Sequence, residues 1–188
     1  AWAQPAPVRP TWLSFGLNGP AEGQRRFPLT QAAFGRGEAD GLQGAVTREL
    51  RRQVLDAGLA EAREESRIGD GLLLGAVLDY ENVLTARLGA SSFLLLHLVG
   101  HGVLLAFDRQ RGWKMVSSFP FPVILMRETA GDAAADAGKY LLEAYTAPER
   151  SFAASFVQTA RQLAPRWREA GRGFNIRVVR STVHPDAA

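Results

Sequence analysis

The chain contains no cysteine. Disulfides, thiolate metal sites and a cysteine nucleophile are therefore excluded, and an oxidising compartment finds no stray thiol to attack. Lysine is nearly missing too, since Lys114 and Lys139 are the only lysines among 22 cationic side chains. The remainder is arginine, which stays protonated throughout the accessible pH range. That accounts for a pI of 9.8 beside a net charge of only +3. Arginine in place of lysine, with abundant Ala and Gly, is what a GC-rich genome writes, and by itself does not indicate nucleic-acid binding. Long apolar runs are also lacking. The longest, Phe93 to Phe107, is interrupted by two His and two Gly, whereas a spanning helix needs roughly 20 mainly apolar residues.

The familiar catalytic signatures are missing as well. Gly89-Ala90-Ser91-Ser92-Phe93 does not match the Gly-x-Ser-x-Gly nucleophile elbow. His97 and His101 are four apart but lack the glutamate of a His-Glu-x-x-His zinc helix. Gly35-Arg36-Gly37 and Gly100-His101-Gly102 lack the further glycines and the strand-to-helix setting of a nucleotide fingerprint. No repeat and no second composition regime is visible, so the reading is a single domain.

What is present is a globular composition, 46% hydrophobic and 22% charged over 188 residues, enough for a proper core. The apolar content is concentrated between Gly71 and Glu128, in the runs Leu72–Tyr80, Phe93–Val99, Val103–Phe107, Trp113–Ser118 and Phe121–Met126. Gly89, Gly100-His101-Gly102, Asp108 to Gly112, Pro120 and Pro122 punctuate them. Short apolar runs separated by turn signals predict consecutive antiparallel strands, here a meander of four or five over residues 71–128.

Before the meander, Pro5, Pro7 and Pro10 make residues 1–10 an extended, Pro-rich tether. Ala1-Trp2-Ala3-Gln4 reads as the end of an A-x-A signal-peptidase site, and the expectation is an exported bacterial protein, periplasmic or secreted. Thr11 to Leu17 alternates as a strand, with Trp12 and Ser14 on one side and Leu13, Phe15 and Leu17 on the other. Residues 21–41 read as a long polar loop with room for a short turn around Phe27 to Phe34, a usual place for function. Asp40 is placed to cap a helix with Leu42, Val46, Leu50, Val54 and Ala57 along one face, ended by Gly58. Residues 59–68 favour an edge strand.

After the meander come an Ala-rich helix over 130–147 and a second with the stripe Phe152, Phe156, Ala160, Leu163 and Trp167, expected to kink or end near Ala164 because of Pro165. Phe174 to Arg180 alternates as a closing strand, and residues 184–188 form a frayed tail. The prediction is thus one α+β domain over residues 11–183: a mostly antiparallel sheet of about five to seven strands with two or three helices packed on it. This element order is similar, over about residues 11–180, to the small α+β domains of periplasmic and outer-membrane assembly proteins, such as the N-terminal domain of the Tol-system propeller protein. A likeness of element order implies a fold and leaves function open.

Three surfaces stand out as candidates. Arg25, Arg26 and Arg36 lie in the 21–41 loop, and Asp79-Tyr80-Glu81 ends a run beside which that loop could form a groove. Arg166, Trp167, Arg168 and Arg172 belong to a basic C-terminal segment able to grip phosphate groups of anionic lipid, cell-wall polymer or nucleic acid. His97, His101 and Asp79 are the residues from which a small hydrolase or metal enzyme would be built. With no convincing catalytic set, the leading reading is a non-catalytic envelope protein that binds another envelope protein or a cell-wall or lipid component and requires no cofactor.

Overall fold

The computed structural model describes residues 9–19, 27–34, 41–62, 71–108, 110, 112–129 and 133–170. Strand β1 (Thr11–Leu17) leads through helices α1 (Pro28–Phe34) and α2 (Leu42–Asp56) to three strands of 18 residues each: β2 (Gly71–Leu88), β3 (Ser91–Asp108) and β4 (Gly112–Thr129). Helices α3 (Ala133–Thr146) and α4 (Phe152–Ala170) follow. The sheet has four strands in the order β1-β2-β3-β4, with β1 parallel to β2 and the other pairs antiparallel. A parallel neighbour needs a crossover connection, and α1 and α2 lie within it. The class is α+β as predicted, but the sheet is mixed, and the described residues hold four strands and four helices instead of five to seven and two or three.

The strand count is lower because the turn signals at its centre are not turns. Gly100 and Gly102 lie inside β3, paired with Phe121 and Phe119 of β4. A Cβ at Gly100 would come within 2.3 Å of the Phe121 ring and 2.6 Å of Phe152, and one at Gly102 within 2.0 Å of Phe119. These glycines are gaps that receive aromatic rings, a close-approach role open to glycine within a strand. Pro120 and Pro122 continue β4 because β4 is an edge strand among the described residues. Two residues apart, both ring nitrogens take the same side, and a missing N–H is harmless where no further strand pairs. The turn glycines Gly89 and Gly112 do join strands, with φ of +62° and +76°.

All four helices lie on one side of the sheet. Val46, Leu50 and Val54 of α2 are fully buried, as the helical spacing predicts. Gly58 adopts φ +63° and closes the helix, its N–H donating to the Leu55 carbonyl. The N-cap is Gly41 and makes no side-chain cap bond; Asp40, expected there, is outside the described residues. Ser151 caps α4, its Oγ accepting from the Ala154 N–H at 3.2 Å. Pro165 neither ends nor shortens α4, which runs on to Ala170. An interior proline costs about 3 kcal/mol, and burial of Trp167 two residues later, its ring 5.6 Å from Phe119, offsets that cost.

The layer between helices and sheet is aromatic. Phe152 meets Phe121 edge-on at 4.8 Å and Phe15 edge-on at 5.3 Å, lies tilted against Tyr145 at 5.3 Å, and Trp12 meets Phe156 at 5.8 Å. Trp12 and Phe15 both point into this layer although three residues apart. The pairing of β1 with β2 slips between them, and such a bulge re-aims the chain. The even alternation expected for Thr11–Leu17 is therefore wrong: Trp12 and Phe15 share the core side, and Ser14 is exposed. Glu61 forms a single bridge on the free side of β1, its N–H donating to the Pro10 carbonyl at 2.8 Å. The predicted strand over 59–68 is reduced to that bridge where it is described. Residues 63–70 and the predicted closing strand Phe174–Arg180 lie outside the described residues.

Candidate binding face

Alternation along the long strands sends every second side chain away from the helices. On β3 the even positions Leu94, Leu96, Leu98, Gly100, Gly102 and Leu104 are buried, while the odd positions from Phe93 to Phe107 are partly open. On β4, Phe119, Phe121 and Val123 are buried, and Ser118, Pro120, Pro122, Ile124, Met126 and Glu128 are exposed. The open side is nevertheless apolar. Its rows, read across β2, β3 and β4, are Leu84-Leu95-Met126, Asn82-His97-Ile124, Tyr80-Val99-Pro122 and Val77-His101-Pro120. Further along come Gly75-Val103-Ser118, Leu73-Leu105-Met115 and Gly71-Phe107-Trp113. Leu73 is covered, but Ile124 and Met126 are 59% and 60% exposed, and Leu84, Tyr80, Trp113 and Met115 are also open to solvent.

A polar group sits at the middle of this face. Asp79 is the unpaired residue of a bulge between Leu78 and Tyr80, a device that turns a side chain out of the regular alternation. One carboxylate oxygen accepts from the Asn18 side-chain amide, and the other lies 3.6 Å from His101 Nδ1. Tyr80 stands edge-on to His97 at 5.9 Å. The structure thus brings Asp79, Tyr80, His97 and His101 together. Among the outward positions of β2, β3 and β4 the carboxylates are Asp79 and Glu128, and no Arg or Lys appears there.

Glu81 departs from the expected binding site. It points to the helix side, is 6% exposed, and both its oxygens are occupied. The Leu29 N–H donates to Oε1 at 2.7 Å and the Thr30 N–H to Oε2 at 3.0 Å, while the Thr30 hydroxyl also donates to Oε2. Since the Thr30 hydrogen is used there, the Tyr145 hydroxyl donates to Thr30 at 2.8 Å. Burial holds the Tyr145 phenol well above its ordinary range; the Thr30 bond lowers it and the Glu81 charge raises it. Glu81 therefore satisfies the first N–H groups of α1 and pins that helix to the sheet. It is a structural residue.

The basic patch lies only partly among the described residues. Trp167 is buried on Phe119, so it belongs to the core. Arg166 is exposed on α4, and Arg168 lies in the last turn of that helix. Arg25, Arg26, Arg36 and Arg172 are outside the described residues. Among the described residues no three His, Cys, Asp or Glu side chains stand together as a metal set, and no helix is long and apolar enough to cross a membrane.

A second concavity, of about 500 Å³, runs between α2 and α4 and is lined by Arg52, Gln53, Asp56, Gln158 and Arg161 among others. Arg52 is already held there by Glu49 and Asp56. The sheet face is the stronger candidate. Its key residues, Ile124, Met126, Met115, Trp113 and Leu84, were not singled out from the sequence. A signal was present: Val123-Ile124-Leu125-Met126 is apolar at both parities, the pattern of a strand covered on both faces.

No protein-family model matches the chain, and none of the curated proteins matches it. Among solved structures, a minor lipoprotein from Acinetobacter baumannii aligns over 84% of this chain and 93% of its own, at 15% identity and a TM-score of 0.31. A "putative lipoprotein" from Caulobacter crescentus CB15 aligns over 68% of this chain and 85% of its own, at 18% identity and a TM-score of 0.29. Scores of this size carry no argument about shared fold or role.

Proposed function

We propose that the protein is a non-catalytic component of the bacterial envelope, periplasmic or secreted, that works by holding another envelope component against the bare face of its sheet. The observation that carries this reading is the face itself, a long apolar surface on whose outward strand positions no Lys or Arg occurs among the described residues. Exposed apolar patches of several hundred Å² mark interaction sites. The envelope assignment draws on the sequence, through the cysteine-free composition and the Pro-rich segment around Pro5, Pro7 and Pro10.

The test uses the double variant Ile124→Asp with Met126→Asp as bait on envelope extracts beside the wild type. Both positions are solvent-facing, so the variant keeps its fold by circular dichroism. The wild type retains a component that the variant loses. Equal retention by both, or none by either, contradicts the reading.

The His101–Asp79 approach favours one different class, because a carboxylate beside an imidazole is how a general base is oriented. Hydrolysis of ester substrates by the purified protein, abolished in His101→Ala, would establish that alternative.

A further inference from the structure

The bare face has the composition of half a core. Antiparallel sheets with one solvated face alternate apolar and polar residues, whereas strands apolar at both parities are covered twice. Here β3 and β4 supply Leu95, Val99, Val103, Leu105, Ile124 and Met126 to the side that carries none of the described helices. Two strands of 18 residues, at ~3.3 Å per residue and ~4.8 Å apart, with the second half of β2, span roughly 700 Å².

We propose that this face closes on a second copy of the same chain, two sheets stacked face to face, and that this pairing regulates the binding site by occupying it. Roughly 700 Å² from each copy gives roughly 1,400 Å² in all, within the range of ~1,200–2,000 Å² for standard specific interfaces. Electrostatics point the same way. Among the described residues no Lys or Arg occupies the outward positions of β2, β3 and β4, so two such faces meet without apposing those cations.

The layout is also self-complementary. His101 lies near the middle of the outward row of β3, with Leu95 six residues before it and Phe107 six after it. A two-fold axis at His101 lays the polar centre of one copy over that of the other and sets Leu95 against the partner's Phe107, as an isologous interface requires. Association along the β4 edge is disfavoured instead, since Pro120 and Pro122 remove two donors from it.

Only the regulatory consequence rests on the proposed function; the pairing stands on the geometry alone. Sedimentation velocity on the full chain is expected to show a dimer at tens of micromolar that dissociates on dilution. The Ile124→Asp, Met126→Asp variant is expected to stay monomeric at concentrations about 100-fold higher than those at which the wild type pairs. The chain has no native cysteine, so introduced ones report geometry cleanly across sheets ~10 Å apart. A short bis-maleimide is expected to join His101→Cys to itself. It is expected to join Leu95→Cys only to Phe107→Cys, in a mixture of the two.

A wild type that is monomeric at every concentration overturns the proposal. It does so whether Ile124→Cys then reacts freely with maleimide, showing an uncovered face, or is protected, showing another segment of the same chain over it. Dimerisation without capture of an envelope component sinks the functional reading and leaves the pairing standing. Capture by a strict monomer does the reverse.

Discussion

Val123 and Ile124 are neighbours on β4 and differ by one methylene, yet Val123 is 2% exposed and Ile124 is 59% exposed. The same contrast runs the length of the sheet. On the helix side, leucines from β3 meet phenylalanines from α4 and β4, and Glu81, the one buried carboxylate among the described residues, has both oxygens satisfied by α1. On the other side, residues just as apolar meet solvent around the Asp79–His101 pair. Hydrophobicity alone does not separate core from interface. What separates them is whether the chain's own helices reach that side.

The comparison can be broken most forcefully at the aromatic layer. Phe152→Ala is expected to cost about 3–5 kcal/mol, read by denaturant unfolding, because Phe121, Phe15 and Tyr145 all lose their partner. Unchanged stability would mean that the helices do not seal this side. Adding volume there should also hurt. Gly102→Ala places a methyl inside the Phe119 ring position and is expected to cost about 1–3 kcal/mol. Gly75, whose Cβ would meet nothing nearer than the Ser14 carbonyl at 3.4 Å, should tolerate the same change better.

The α1 anchor comes next. Glu81→Gln replaces one accepting oxygen with a donor facing a backbone N–H, and a loss of about 1–3 kcal/mol is expected, with hydrogen exchange accelerated first at Leu29 and Thr30. A smaller effect belongs to the surface of α2. Bonding from Arg52 holds the Glu49 carboxyl below its ordinary range. A carboxylate depressed in the folded state contributes stability that is present above the unfolded pKa and fades as pH falls through the folded one. Because the pair is solvent-accessible, Glu49→Gln should change stability by no more than a few tenths of a kcal/mol, and less in high salt.

The helix side was legible in advance. Four-residue spacing from Val46 to Val54 and from Phe152 to Ala160 gave α2 and α4 their buried stripes, and Tyr140, Leu141, Ala144 and Tyr145 gave the packing face of α3. The sheet was misjudged where residue types carry two meanings. Gly100 and Gly102 look like a turn but make room for rings that come from β4 and α4, distant in sequence. Pro120 and Pro122 look like breaks but are acceptable on an edge, and nothing local says which strand will be at the edge. Asp79 and Glu81 are two apart and looked like one patch, until the bulge at Asp79 put them on opposite sides. The bare face was missed because apolar residues are read as core by default, and only the position of the helices shows which of them stay outside.

Photo-crosslinking in living cells is the most direct test. A photoreactive amino acid is placed at Ile124 on the bare face or at Arg51 on the exposed side of α2. The account predicts discrete adducts from position 124, to the envelope component or to a second copy of the chain, and none from position 51. Adducts from position 51 with silence at position 124 would contradict it.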